Sequence, residues 1–336
     1  MNRLPRFATL TVLAALFALP PALPSARADD LLPISVVGSE AVFPLAVAAA
    51  ERFSLQSGQA MPVVERNGTA RGIEIFCAGQ GLRSPDLLTA ERRLERNELS
   101  LCSRRGIGLQ EIKFGYQAVA LAQSRAAPDP LSLTRRQLFL ALAAQVPVQG
   151  RMIANPYRLW SDIDFALPVK PIAAVAPPRS SPLWDSFVAL MMQSAADDFP
   201  ELRRWSPGQR AELAGQLRGD GVVEILQEDE ASVGAALARQ PGAVGVVSFN
   251  YLTAQAGSLR GLPIDGVAPS LASIAQGRYA PSRPFYLYVK NAHLNRVRGL
   301  AGYLAEITGA AASGPGGYLT ARGLVALPPE ERAALR

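Results

Sequence analysis

From residue 34 onward, short apolar runs alternate with segments whose apolar positions recur every three to four residues. ISVVG (34–38) reads as a strand, SEAVFP as a turn and LAVAAAERFSL as a helix; MPVVER (61–66) is a second strand. The turn 67–72 then runs into IEIFCAG, where Ile73, Phe76 and Cys77 fall at helical spacing. A βαβα order of this kind predicts an α/β domain with a parallel-rich sheet that takes ligands at its strand ends. EIKFGYQAVALAQS (111–124) alternates and then turns continuously apolar, a strand long enough to cross between domains. LTRRQLFLALAAQ predicts a helix capped by Thr134 or Ser132, and PIAAVA a strand. After the turn PPRSSP comes the helix LWDSFVALMMQSA, then a helix, a Pro-Gly turn and a strand within 227–252. A β-rich run ends at Lys290, helices with glycine-rich loops finish the chain, and no fixed-period repeat is visible.

The first 28 residues have a different pattern. Arg3 and Arg6 precede a short apolar run, and Ala26-Arg27-Ala28 has the small-x-small form of a cleavage site, so a signal peptide over 1–28 is expected. The apolar run is shorter than the ~20 residues of a spanning helix. Export makes Cys77 and Cys102, the only cysteines, a predicted disulfide, worth roughly 3 kcal/mol through loop closure. A zinc site needs more ligands than two cysteines and one histidine supply, so no metal or cofactor is expected.

The remaining 308 or so residues suffice for two globular domains. With 49% hydrophobic and 18% charged residues the chain is of the compact, ordered class. Its net charge of +6 falls to +3 without the three leader arginines, and the basic residues are scattered, which argues against nucleic-acid binding. The helix start after Gly68-Thr69 offers unpaired N–H groups and a dipole end that favour an anion, while an ordinary capped helix accounts for the same residues. His293 reads as a surface or interface residue. Ser39, Ser181 and Asp185 come without a nucleophile elbow or a placed histidine, so an enzyme is not expected. The aromatics of RPFYLYV alternate as strand-core residues do.

Six segments, GSEAVFPLAVAAAERF, NGTARGIEIFCAG, PDLLTAERRL, PPRSSPLWDSFVAL, QPGAVGVVSFNYL and SIAQGRYAPSRPFYLYVK, together resemble, in order, the periplasmic phosphate-binding protein of the phosphate ABC importer. The resemblance covers nearly the whole mature chain. It implies a type II periplasmic-binding fold: two α/β lobes joined by crossing hinge strands, lobe 1 over 29–117 and 258–336, lobe 2 over 118–257. It also implies a buried oxyanion held by Ser39, Glu40, Ala41, Thr69, Arg71, Asp86, Arg92, Ser180 and Ser181. Several motif positions depart from the family. Glu40 and Ala41 replace two hydroxyls, Arg71 is a new charge, and Glu91 stands at a serine position. Pro182, Leu183 and Trp184 replace Gly-Thr-Arg, removing an N–H donor and a guanidinium together.

A buried phosphate must recover its lost hydration from many donors. One reading keeps the anion, with backbone N–H groups of residues 40, 41 and 68 and with Arg71 and Arg92 in place of the missing arginine. Another pairs Glu40 with Arg71 and turns Glu91 to solvent, leaving a cleft unsuited to phosphate. The resemblance favours a monomeric periplasmic protein that captures phosphate or a similar oxyanion and delivers it to a membrane ABC permease. A diverged scaffold with a signalling or interaction role is the alternative, and a phosphatase-like enzyme a third.

Overall fold

Residues 32–334 are described by a computed structural model; the expected leader over 1–28 lies outside them. The described residues form eleven strands: β1 Ser35–Gly38, β2 Val63–Arg66, β3 Leu87–Ala90, β4 Leu109–Ser124, β5 Gln145–Val148, β6 Arg151–Ala154, β7 Ala174–Ala176, β8 Val223–Ile225, β9 Val244–Ser248, β10 Leu259–Gly261 and β11 Ser282–Lys290. Nine of them form one sheet, eight along the path β2-β1-β3-β11-β4-β9-β7-β8 and β10 off it, on β4. The sixteen residues of β4 are common to both halves of that path. Its residues 109–118 pair with β11, and from Val119 onward it pairs with β9 and β10.

The pairings fix the polarity of both lobes. β1, β2 and β3 are mutually parallel, β11 is antiparallel to both β3 and β4, and β7, β8 and β9 are parallel to one another and antiparallel to β4. The carboxyl ends of the parallel strands in each lobe therefore point at the place where β4 crosses. Helices α1 (Phe43–Ser57), α2 (Thr69–Phe76) and α3 (Arg96–Ser103) follow the ends of β1, β2 and β3, while α4 (Arg135–Leu142) comes after β4 and is capped by Thr134, whose Oγ1 accepts from the Gln137 N–H. α1 packs a face of small residues, Ala46, Ala49 and Ala50, under the helix Leu300–Thr308, and Tyr303 donates its hydroxyl to the Ala46 carbonyl at 2.9 Å.

The second crossing differs from the one expected at residue 258. β10 pairs within the second lobe's sheet, and Leu262, Ile264 and Tyr279 join its core. The chain returns only at Pro281–Ser282, where the Pro281 carbonyl accepts from the Val119 N–H. A third connection is made by the C-terminal segment. Val325 exchanges two backbone hydrogen bonds with Tyr116, and Asn250 of the second lobe donates to the Thr320 and Leu324 carbonyls, each at 2.9 Å. Gly115 leaves the room that Leu324 and Val325 occupy. Glu331 closes this strap: Lys113 pairs with it at 2.7 Å and the Tyr116 hydroxyl donates to it. Burial and that carboxylate hold the Tyr116 phenol well above its usual range.

Opposite the crossing, lobe 1 ends in a buried polar network. Cys77 and Cys102 form the expected disulfide, Cα atoms 4.8 Å apart. Asp86, just before β3, accepts from the Ser35 N–H at 2.8 Å and faces His293 Nδ1 at 2.6 Å. His293 is fully buried rather than at a surface. Its second nitrogen meets the Gln80 carbonyl at 3.0 Å, so an oxygen stands on each side of the ring. Lys290 donates to the Gly79 carbonyl and to Ser84 Oγ and lies 4.9 Å from the Phe76 ring. Burial lowers its ammonium to about 8, with Asp86 acting against that shift.

Two predictions follow from these charge networks. Asp86→Asn removes the carboxylate that offsets the burial of the Lys290 ammonium and accepts from the Ser35 N–H, and should lower the unfolding free energy by about 3–5 kcal/mol in a denaturant titration, whereas breaking the exposed Arg71–Glu74 pair should change it by less than about 0.5 kcal/mol. An unfolded lysine titrates near about 10.4. Above pH 8 the unfolded chain therefore holds a proton that native Lys290 gives up, and this group's contribution to stability rises with pH up to the unfolded value. The stability of wild type relative to Lys290→Met should accordingly increase between pH 8 and 10; a flat or falling difference contradicts it.

Candidate functional site

Lobe 1 brings two helix starts together at the end of β1. Gly38, at φ 131°, lets β1 run against Thr89, and a Cβ on Gly72 would stand 2.6 Å from Gly38 Cα, so α2 packs directly on the strand end. The Asn67 N–H donates to the Gly38 carbonyl at 3.0 Å, which ties the turn before α2 to the turn before α1. Ser39 is buried there; its Oγ accepts from the Ala41 N–H at 3.2 Å and donates to Glu91 at 3.2 Å. At the start of α2, Thr69 Oγ1 and Asn67 Oδ1 are buried with no hydrogen-bond partner among the described residues. Two such atoms beside a dipole's positive end form a polar surface still to be satisfied.

Glu91, at the end of β3, ties that strand electrostatically to β11. Arg283 on β11 pairs with it at 2.8 Å, through the same carboxylate oxygen that Ser39 meets, and donates Nε to Gln117 Oε1 at 2.8 Å. Burial lowers the Arg283 guanidinium below its ordinary value, and Glu91 opposes the shift. Gln117 and Arg283 are register partners one step before the crossing. A cation and a hydroxyl are thus held at the floor of the cleft by one carboxylate.

On the facing rim of lobe 2, β7 leads into 177–181. Ser181 caps the helix Pro182–Phe187, accepting from the Trp184 N–H at 3.1 Å and donating to the Pro178 carbonyl at 2.8 Å; Ser180 is exposed beside it. Arg179 lies 4.7 Å over the Trp184 ring. Ser248, at the end of β9, pairs across from Val119 at the crossing. Both its N–H, at 2.6 Å, and its hydroxyl, at 2.9 Å, donate to Glu230, whose carboxyl burial pushes up.

The residues expected from sequence therefore divide. Ser39, Ala41 and Thr69 stand around one strand end, and Ser180 and Ser181 on the opposing rim, while Glu40 is exposed at the α1 turn. Three others point elsewhere. Arg71 pairs with Glu74 along the outside of α2 and not with Glu40. Both nitrogens of the Arg92 fork go to Glu98 at 2.7 Å, which locks it onto the first turn of α3. Asp86 lies at the far end of β3; four extended steps separate it from Ala90, roughly 13 Å, and both its oxygens are used within the core. Glu91 faces Arg283 rather than solvent. Sequence reading missed Asn67, Arg283, Glu230 and Ser248. The one legible signal was Arg283, a cation just ahead of the apolar and aromatic run 284–289.

Among the described residues no group of acidic, histidine or cysteine side chains is arranged to hold a metal ion, and no helix is long and apolar enough to cross a membrane. A family model described as a PBP superfamily domain matches residues 23–311. Protein SphX of Synechococcus elongatus is 24% identical over 262 residues, 76% of this chain and 67% of that protein. Phosphate-binding protein PstS of Staphylococcus saprophyticus is 21% identical over 274 residues, 80% and 73% of the two chains. Among solved structures, a possible phosphate binding protein from Planctomyces limnophilus superposes with a TM-score of 0.66 at 21% identity, covering 90% of this chain and 95% of that one. An ABC-type phosphate transport receptor from Vibrio cholerae gives 0.54 at 17% identity, covering 88% and 100%. Two lobes sharing a crossing strand, with their strand ends turned on one cleft, have the architecture of those structures, and with a family match across most of its length the chain belongs to the PBP superfamily.

Proposed function

We propose that the protein is an exported, non-catalytic binding protein that captures inorganic phosphate between its lobes and delivers it to a membrane ABC importer. The observation that carries this reading is the pair of unsatisfied buried atoms, Thr69 Oγ1 and Asn67 Oδ1, at a helix start beside Ser39 and the Arg283–Glu91 pair. Monohydrogen phosphate has oxygens for the Thr69 hydroxyl, the α2 N–H groups and the guanidinium, and one proton to give to Glu91 or the Asn67 oxygen. Sulfate lacks that proton and meets Glu91 as a bare dianion. Relatives named for phosphate binding support the same choice of ligand. The turn at 180–182 is the lobe 2 contact, reached when the hinge at the crossing closes.

Calorimetric titration of the folded mature protein with phosphate, arsenate and sulfate tests this. Thr69→Ala and Arg283→Gln should each weaken phosphate by roughly 10- to 100-fold, the loss of a hydrogen bond to a charged group. Glu91→Gln should narrow the preference for phosphate over sulfate. Asp86→Asn should leave affinity within about twofold where the variant is folded. No heat with any anion would leave the diverged scaffold as the function.

A further inference from the structure

An open groove of about 790 Å³ lies between the helix Phe249–Ala254, residues 269–271 and the C-terminal strap. That is within the roughly 300–1,000 Å³ of small-molecule sites. It shares no residue with the anion cleft. Phe249, Leu252, Leu259 and Leu271 form one wall and Val325 and Leu327 the other; Leu271 is an exposed leucine. The charged side chains that face it are Arg125 and Arg332, and no acidic side chain lines it. Neither arginine forms an ion pair among the described residues. Arg125 spends Nε on the Ala256 carbonyl at 2.6 Å, while Arg332 Nε is buried without a hydrogen-bond partner among those residues.

We propose that this groove binds a single-chain alkyl carboxylate, a fatty acid, with the chain between Leu252 and Leu327 and the carboxylate on Arg332. Apolar walls with two guanidinia and no acid are complementary to an amphiphile whose head is a small, planar anion. A guanidinium grips such a head through two parallel hydrogen bonds, and the bond is strengthened where water is excluded. An uncharged chain leaves both guanidinia without a counter-charge, which disfavours a neutral lipid. Because the strap forms one wall and the second lobe the other, the occupant bridges two elements of the fold and stabilises their contact.

Dodecanoate below its micelle concentration, titrated calorimetrically into the mature protein, tests the assignment. One saturable site and a raised Tm are expected. Shortening the chain should weaken binding by about fourfold per methylene, and Arg332→Gln should weaken it at least about tenfold. Thr253→Trp fills the groove from an exposed position and should abolish dodecanoate binding without changing the phosphate titration. Heat that is absent, does not saturate, or is unchanged in Thr253→Trp overturns the proposal. So does equal binding of dodecanol, which shares the chain and lacks the carboxylate.

Discussion

The fold depends on one strand belonging to two sheets. Because β4 leaves β11 at Ala118 and takes up β9 at Val119, neither lobe can be displaced without bending a strand that is hydrogen-bonded to β11 along one stretch and to β9 along the next. Its direction also sets that of every parallel strand beside it. Helix starts after β1, β2 and β7 are thereby delivered to one cleft, and their unpaired N–H groups with them. No long-range attraction has to be invoked to gather the anion-facing groups. The handedness and polarity of strand pairing do it, and side chains need only decorate the ends.

Electrostatics at the cleft floor follow from the same placement. Arg283 enters on β11 one residue after the crossing, where burial opposes its charge, and it is kept there by Glu91 and Gln117. A cation held this way is neutralised at the cleft floor by a carboxylate that itself remains about one-third exposed. Ser39 is bound to the same oxygen, so a change at Glu91 is felt at both the hydroxyl and the cation. Lobe 2 repeats the arrangement without a cation: Glu230 holds Ser248 by its N–H and its hydroxyl.

Local order was legible where the signal is local. The crossing strand, the helix capped by Thr134 and the α2 start can be read from runs of adjacent residues, and the disulfide from an expected leader and a sequence with two cysteines. The hairpin β5–β6 was not read, although Gln149 and Gly150, both at positive φ, make the two-residue turn such hairpins favour. The charged groups were legible only in part, because their partners are remote in sequence. His293 meets Asp86 across 207 positions, and Arg283 meets Glu91 across nearly as many. A lone histidine in a polar stretch gives no sign of that partner, so a surface position was the natural expectation and the core position a tertiary fact.

The motif match at 86–92 shows where spacing misleads. An aspartate and an arginine six positions apart suggest a single ligand shell on paper, but an intervening strand carries them to opposite ends of the lobe. The requirement that survives is physical. A dry oxyanion needs a cation, hydroxyls and backbone N–H groups around it, whatever positions supply them. With Pro182, Leu183 and Trp184 in the lobe 2 turn, no arginine follows Ser181 there; Arg179 precedes it and stacks on Trp184, and the cation at the cleft floor comes from β11 instead. That cation stands on β11 beside the crossing, in register with Gln117, and not on the lobe 2 rim.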